Sequence, residues 1–388
     1  MEDEIKQLRA LAVQRFKNGE SPESICTSLG KSRFWLYKWV KRYNEEASWC
    51  EDRSRRPHAT PNHTPDEIEE IVKMIRLKLY NQDLFCGAQA ILWELEDLCV
   101  KPLPSARTIN RILARNELTH RRTGKYEAKG TLYPVLPSAL PNQTHQADLV
   151  GPCYLTGPIR FYSLNVVDTA TVRCGLHPSL SKSGQMVIDG IWGAWQRMGI
   201  PERIQVDNAM SFFGSPTHPR GMGPLIRLCL HNGVEPWFIP MAEPWRNGMI
   251  EKFNDRYQQQ FLGKVIMASQ DELKTGSLAF EQRHNSKYRY SKLKGDTPLK
   301  ALAASNVQLR FPTEAELPKY RLEKPEIGKY HVVRLIRSDL KLNIFGECFS
   351  APSETELEYV VATIDVKEQK LKLFLDPKQV EEFDYKLR

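Results

Sequence analysis

Three acidic residues stand out because each is aimed from an ordered stretch of chain: Asp148, Asp207 and Glu251. Asp148 lies in THQADLVG, where polar and apolar residues alternate as a strand requires. Asp207 closes the short strand RIQVD and precedes Asn208, a turn-former, so its carboxylate sits at a strand's carboxyl end. Ligand sites in α/β sheets gather at such ends. Glu251 falls one turn into a helix opened by Pro244, Trp245, Arg246, Asn247 and Gly248, and Asn247, Glu251 and Asn254 share one face of it. Carboxylates suit hard divalent cations such as Mg²⁺, which take oxygen ligands and keep several waters. Each acid alone has a plainer reading. An Asp before Asn at a strand end is usually a turn residue, and a Glu beside a lysine on a helix is usually a solvated charge.

The elements that must position these groups follow from periodicity. Residues 3–45 read as three short helices: Ile5, Leu8, Leu11, Ala12 and Phe16 recur at helical spacing, Ser21 and Pro22 start a second helix that stops at Gly30, and Ser32 caps a third. In the third, Phe34, Tyr37 and Val40 are expected inside, leaving Arg33, Lys38, Lys41 and Arg42 outside. A short helix, a Gly turn and a basic helix make a helix-turn-helix, against the alternative of a plain three-helix bundle. Residues 49–64 read as a basic linker carrying Arg53, Arg55 and Arg56. Helices are expected over 65–79 and 87–98, and Ser105 caps a third, with Ile109, Ile112 and Leu113 inside and Arg107, Asn110, Arg111 and Arg115 projecting. The basic tail HRRTGKYEAKG, with Arg121, Arg122 and Lys125, follows at once. Two such modules in series offer the many phosphate contacts that holding a DNA end demands.

From 141 to 305 strands and helices mix. A hairpin (159–168 and 171–177), a helix (184–198), strands at 203–207 and 234–239 and a helix at 247–261 give an α/β layer order. Beyond residue 312, runs at 330–336, 340–352, 357–366 and 369–375 are short strands without long helices between, which predicts a small all-β barrel. The domains expected are therefore 1–48, 64–122, 141–305 and 320–388.

Bulk composition agrees with several soluble modules in 388 residues: 41% apolar, 26% charged and a net charge of +8, a modest pointer to a polyanionic partner. The eight cysteines include no C-x-x-C pair, which argues against a four-ligand zinc site or disulfide framework and for free thiols in a reducing cytosol. No run of ~18 apolar residues predicts a membrane span, and no signal-peptide pattern opens the chain. A soluble, intracellular protein is expected.

QVDN at 205–208 followed by EPWRNGMIEKFN at 243–254 resembles the second and third motifs of the DDE transposases of the retroviral-integrase-like superfamily. With two helix-turn-helix modules ahead of that core, residues 1–305 resemble bacterial insertion-sequence transposases of the IS481 kind. The resemblance implies an RNase H-like catalytic core in which acids from the first strand, the fourth strand and the following helix meet. It also implies cleavage and joining of double-stranded DNA at element ends and target, with two Mg²⁺ or Mn²⁺ ions, a homo-oligomer on DNA, and a bacterial cytoplasmic, nucleoid-associated setting. Two divalent ions about 4 Å apart lower the pKa of a water and hold the departing oxygen. On this reading Asp148 bridges both ions, with Asp207 and Glu251 completing one site each.

The sequence departs from the family's pattern in three places. Ala209 replaces the glycine usual after Asp-Asn. The usual gap of 35 residues lands on Glu243, whereas 43 separate Asp207 from Glu251, with 214–224 as the lengthening insertion. Glu251 is preferred because it follows the Asn-Gly helix start. Gln258 stands where a basic residue is common. Trp245 and Arg246 either stack on or clamp a splayed DNA end, or simply pack; with Asn247 and Asn254 they are counted among the expected DNA contacts. Asp168 reads as a turn residue, His145 as a surface histidine, and Trp192 and Trp195 as core. The rivals are a DNA-binding regulator descended from a transposase that has lost catalysis, and an RNase H-like nuclease without strand transfer.

Overall fold

The N-terminal helices are punctuated by the residues whose chemistry suits the task. In the structure, a computed structural model describing residues 2–52, 64–119, 133–214, 218, 220–313 and 322–388, α1 spans Glu2–Lys17, α2 Pro22–Leu29 and α3 Arg33–Glu45. The Ser21 hydroxyl accepts from the Ser24 N–H and Pro22 occupies the first turn of α2. Gly30 ends that helix at φ 62°, in the left-handed region open to glycine. Ser32 caps α3 by accepting from the Trp35 N–H at 3.2 Å. Ala12, Ile25 and Leu36 are fully buried at the centre, with Trp39 beside them.

The inward stripe of α3 is not the expected one. Phe34 is 82% exposed and Tyr37 half exposed, whereas Leu36, Trp39 and Arg42 are buried. Positions 34 and 36 lie about 200° apart around a helix. Trp39, the larger apolar surface, takes the inside and turns Phe34 outward.

The chain forms two compact units, Met1–His63 and Thr64–Arg388, so the bodies expected at 64–122, 141–305 and 320–388 all lie within the second. That unit begins with α4 (Asp66–Asn81), α5 (Ala88–Asp97) and α6 (Ala106–Arg115). Ser105 caps α6 through the Thr108 N–H, and Ile109, Ile112 and Leu113 are buried against Ile68, Val72, Ile75, Leu79 and Ile91. These helices are fastened to the α/β body. The Tyr288 hydroxyl donates to the Asp83 carbonyl at 2.5 Å, Asp83 pairs with Lys264 and Arg283, and Arg289 donates to Asp97 at 2.6 Å. Gly295, at φ 95°, lies so close to Trp93 that an added Cβ would come within 2.6 Å of the indole.

The body is a nine-stranded sheet in the order β11-β10-β9-β6-β5-β4-β1-β2-β3. β1 (Thr144–Tyr154), β2 (Arg160–Asp168) and β3 (Cys174–Ser179) run antiparallel, with Asp148 opposite Asn165. β4 (Arg203–Val206) lies parallel to β1, with Gln146 opposite Gln205, and β5 (Glu235–Phe238) lies parallel to β4. Leu164 and Val166 of β2 face one helical layer, α7 (Gly184–Met198) and α9 (Pro224–His231), with the short α8 (Met210–Phe213) beside it. Phe161 and Val167 face the other, α10 (Gly248–Tyr257) and α11 (Gln270–Lys287). Trp192 and Trp195 of α7 are buried. A short helix α12 (Pro298–Ala304) follows, capped by Thr297.

The C-terminal strands correct the expectation of a separate small all-β barrel at 320–388. β6 (Lys329–Leu335) pairs parallel with β5, and β9 (Tyr359–Asp365), β10 (Lys370–Leu375) and β11 (Lys378–Asp384) continue the same sheet. β7 (Lys341–Ile344) and β8 (Glu347–Ser350) form a separate hairpin. Among the described residues no pairing closes these strands into a ring. An open β5 edge would leave its N–H and C=O groups unpaired, and β6 satisfies them. The terminal edge strand carries Lys378, Glu381, Glu382 and Asp384, charges that discourage further pairing. The expected insertion at 214–224 is described except for 215–217 and 219.

β6 also reaches the loop after β4. Buried Arg334 donates to Asn208 Oδ1 at 2.8 Å, to the Ile239 carbonyl at 3.1 Å and to the Asn343 carbonyl at 2.9 Å. Burial pulls its guanidinium down to about 10. Arg334→Leu would remove all three bonds, leaving the Ile239 carbonyl only its bond from Asn208 Nδ2, and should cost about 3 kcal/mol in urea unfolding. A loss under about 1 kcal/mol would show that these bonds do not anchor the loop.

Candidate active site

The three singled-out acids come from adjacent elements. Asp148 sits mid-β1, Asp207 immediately follows β4, and Glu251 lies in the first turn of α10. β1 and β4 are hydrogen-bonded neighbours, and α10 is tied to β1 by Gln146, whose side-chain oxygen accepts from the Met249 and Ile250 N–H groups at 3.1 and 3.0 Å. That amide satisfies two of the orphan donors at the start of α10, so the position of Glu251 is set from β1.

Asp148 is held by neutral donors. Its Oδ2 accepts from Asn254 Nδ2 at 2.8 Å and its Oδ1 from the Leu149 N–H at 2.8 Å. Asn254 accepts in turn from Asn165 Nδ2 at 2.8 Å, and Asn165 accepts from the Ser163 hydroxyl at 2.7 Å. Burial raises the Asp148 carboxyl above its usual range, and the charges of Asp207 and Glu251 push it further, against the pull of the two hydrogen bonds. Burial likewise raises Asp207, whose Oδ1 accepts from the Ala209 N–H at 3.0 Å. Glu251 is raised by burial and by Asp255.

Among the described residues none of the three is ion-paired to Lys, Arg or His. Nor is any group of three His, Cys, Asp or Glu gathered tightly enough to hold a metal ion as it stands. Like charges repel, which favours carboxylates that neighbour one another over carboxylates in contact. The donor set is oxygen only and negative, the kind that suits a hard divalent cation.

The departures noted in the sequence have physical resolutions. Ala209 adopts φ −66°, ψ 140°, an extended conformation, and the Asp207 side chain closes the turn, so no glycine is needed. Glu243 is committed elsewhere: it pairs with Arg246 at 2.9 Å and accepts from the Tyr359 hydroxyl at 2.9 and 2.7 Å.

Several expected DNA contacts face inward instead. Arg246, besides its Glu243 pair, lies over the rings of Tyr133 and Tyr359 and donates to the Tyr359 hydroxyl. Asn247 is buried and joins strands, donating to the Ala147 carbonyl at 3.2 Å and accepting from Gln205 Nε2 at 3.3 Å. Asn254 serves Asp148. Trp245 alone of this group is exposed, at 54%. His145, expected at the surface, is fully buried against Asn142, and burial lowers it to about 4. Asp168 accepts from the Asn142, Ala170 and Thr171 N–H groups and so holds a turn.

On α3, Arg42 is buried, paired with Glu46 at 3.0 Å and set against Trp39. Arg33 is paired with Glu23, while Lys38 and Lys41 are exposed. On α6, Arg107, Asn110 and Arg111 are exposed and Arg115 pairs with Glu69. Arg53, Arg55, Arg56, Arg121, Arg122 and Lys125 lie outside the described residues. The groups that sequence reasoning missed are Gln146, Asn165, Arg334 and Tyr359. Only Gln146 had a signal, since two-residue periodicity puts it on the Asp148 face of β1.

Residues 6–48 match the homeodomain-like domain family, and the N-terminal unit is a helix-turn-helix. Among solved structures, the chain is similar to the integrase catalytic core domain of HTLV-2 in complex with magnesium, in its trimeric form. The identity is 15%, covering 42% of this chain and 99% of that one, with a TM-score of 0.32. It is also similar to a simian T-cell lymphotropic virus intasome in complex with the PP2A regulatory subunit B56 gamma. There the identity is 13%, covering 82% and 97%, with a TM-score of 0.37. No described helix is long and apolar enough to cross a membrane.

Asp207→Asn keeps the acceptor for Ala209 while deleting one of the clustered charges. Because the Asp207 carboxyl is raised in the folded state, its ionised form costs stability at pH 7. That cost fades as pH falls through the carboxylate range. The metal-free variant should therefore melt about 1–2 °C above the parent at pH 7, allowing for solvent screening, with the difference vanishing near pH 3.5. Melting below the parent at pH 7 would show that the charge is not in conflict with its surroundings.

Proposed function

We propose that this protein is a DDE-type transposase: it binds the ends of a mobile element and catalyses metal-dependent cleavage and strand transfer of DNA. The observation that carries the reading is half-buried Asp148 on β1, next to β4 and tied to α10, the elements that lead to Asp207 and bear Glu251, with neutral amides rather than cations fixing the geometry. A carboxylate kept only for structure gains by pairing with a cation, as Glu243 does with Arg246. Negative charge held unneutralised on three adjoining elements fits a site that takes its cation from solution.

In this proposal Asp148, Asp207 and Glu251 are the residues that would hold two Mg²⁺ or Mn²⁺ ions. When bound, such ions activate a water and stabilise the departing 3′ oxygen. The protein's own part is to position. Asn254 and the Leu149 N–H fix both oxygens of Asp148, Gln146 fixes the start of α10 and therefore Glu251, and Ala209 and Asn208 fix the turn bearing Asp207. Water first frees a 3′ hydroxyl at the element end, and that hydroxyl then attacks a target phosphodiester in the same site, without a covalent protein intermediate.

The helix-turn-helix, with α4–α6 as a second DNA-binding module, supplies end recognition through groups including Lys38, Lys41, Arg107, Asn110 and Arg111. The C-terminal strands are proposed to brace the site. Joining two ends implies at least two copies of the chain on DNA, in the cytoplasm of a bacterium.

Each of Asp148→Asn, Asp207→Asn and Glu251→Gln should lower both 3′-end cleavage and strand transfer by about a thousandfold or more. DNA affinity should change by no more than about twofold, since none of the three is a phosphate-binding cation. Strand transfer retained in Asp207→Asn would refute the assignment. A parent protein that binds element ends but joins none in Mg²⁺ or Mn²⁺ would leave the non-catalytic regulator as the better reading.

A further inference from the structure

Between α5 and the surface formed by α10 and the segment 289–292 lies a cavity of about 510 Å³, a size at which proteins enclose small organic ligands. Its wall is largely apolar and aromatic, with Phe85, Trp93 and Tyr290, and its charged lining is of one sign: Lys252, Arg256, Arg289 and Lys292, with no Asp or Glu. Arg289 is paired with Asp97. Among the described residues Lys252, Arg256 and Lys292 have no carboxylate within ion-pairing distance. Arg256 instead lies over Phe85 at 4.4 Å and donates to the Tyr290 hydroxyl at 2.5 Å, and Lys292 donates to the Thr169 carbonyl at 2.5 Å. Burial holds the Lys292 ammonium below its ordinary value, against the opposing charge of Asp168, which lies beyond ion-pairing distance.

A second observation concerns Val172 in the cavity wall. Val172 lines the cavity at φ 59°, a left-handed conformation that a β-branched residue rarely takes. It is pinned there by its N–H donating to the Asp168 carbonyl at 2.8 Å and by His284 Nε2 against its own carbonyl at 3.0 Å. Strain of this kind concentrates where ligands are gripped.

We propose that this cavity receives one unpaired nucleotide of a DNA strand, its base against the aromatic wall and its phosphate between Lys252 and Lys292. The proposal rests on the reading of α10 as the catalytic helix. Lys252 follows Glu251 directly, about 3.8 Å along the backbone, so a strand whose phosphodiester lies at the acids has its neighbouring nucleotide within reach of this cavity. Three cations outside any described ion pair, beside flat apolar surface, are complementary to a phosphate joined to a base.

Cys86 lines the cavity as a partly buried free thiol, whereas Cys99 and Cys348 are exposed. The test is alkylation of the full-length protein by iodoacetamide without divalent metal, near pH 8.5 because burial raises the Cys86 thiol. Each cysteine is followed by peptide mass spectrometry. A single-stranded 5′-phosphorylated trinucleotide should slow Cys86 labelling about fivefold or more while leaving Cys99 unchanged. In the double variant Lys252→Gln, Lys292→Gln, both exposed positions, about tenfold more trinucleotide should be needed for the same protection, the equivalent of one lost charge-assisted contact. No protection, undiminished protection in the double variant, or equal protection by inorganic phosphate would each overturn the proposal. The assay reads binding alone. Protection with no strand transfer would count against the catalytic reading only, and strand transfer with no protection against the cavity only.

Discussion

The arrangement on which the rest of the chain depends is a half-buried carboxylate, Asp148, on a strand next to the elements that bring Asp207 and Glu251, whose charges raise it further. Such a group is costly unless every oxygen is hydrogen-bonded. The fold meets that demand with amides: Asn254, itself held by Asn165, and the Leu149 N–H at Asp148, Gln146 at the start of α10, and Asn247 with Gln205 across β1 and β4. Amides orient a carboxylate without neutralising it. A lysine or arginine in the same place would draw the pKa down and use up the charge. Glu243, eight residues from Glu251, has such partners: Arg246 pairs with it and the Tyr359 hydroxyl donates to it.

The same constraint explains why the C-terminal strands belong to the central sheet rather than to a module of their own. The loops after β4 and β5 carry Asp207 and lead into α10, and loops are the least stable parts of an α/β layer. Both are held from behind by the added strands. Arg334 of β6 bonds to Asn208 and to the Ile239 carbonyl, and Tyr359 of β9 bonds to Glu243. Independent closure of these strands into a barrel would give up the parallel pairing of β6 with β5, and with it the register that brings Arg334 to Asn208.

Local chemistry was legible in the sequence; long-range pairing was not. Ser21, Gly30, Ser32 and Ser105 marked helix ends because capping is a contact of three or four residues. α7 was readable because its apolar face is nearly continuous. α3 misled because both of its sides carry aromatic residues, and only packing against Ile25 decides between Phe34 and Trp39. α11 carries few apolar residues and buries Glu281 and His284, so periodicity does not announce it. At the site, the types and placement of Asp148, Asp207 and Glu251 were visible. Asn247 and Asn254 were counted among the DNA contacts, because nothing in one sequence says that an asparagine will find a partner a hundred residues away. The C-terminal runs looked like a barrel because strand spacing reports hairpins and is silent about which edge they join.

α10 draws these threads together. Successive residues of a helix turn about 100°, so Ile250, Phe253, Tyr257 and Asn254 fill one buried arc while Glu251, Lys252 and Arg256 follow one another around the rest. The aromatic side chains of that arc, packed on Phe280, leave the helix no freedom to rotate. Asn254 sets the rotation from one side by its bond to Asp148, and Arg256 sets it from the other through Phe85 and Tyr290. The acid and the cations are thus fixed relative to each other by the pitch of one helix. A polyanion lying along it would meet negative charge at Glu251, tolerable only with a bridging cation, and positive charge one residue later. The ordering of charge on α10 therefore suits the proposed ligand, a phosphodiester strand, at Glu251 and at Lys252 alike.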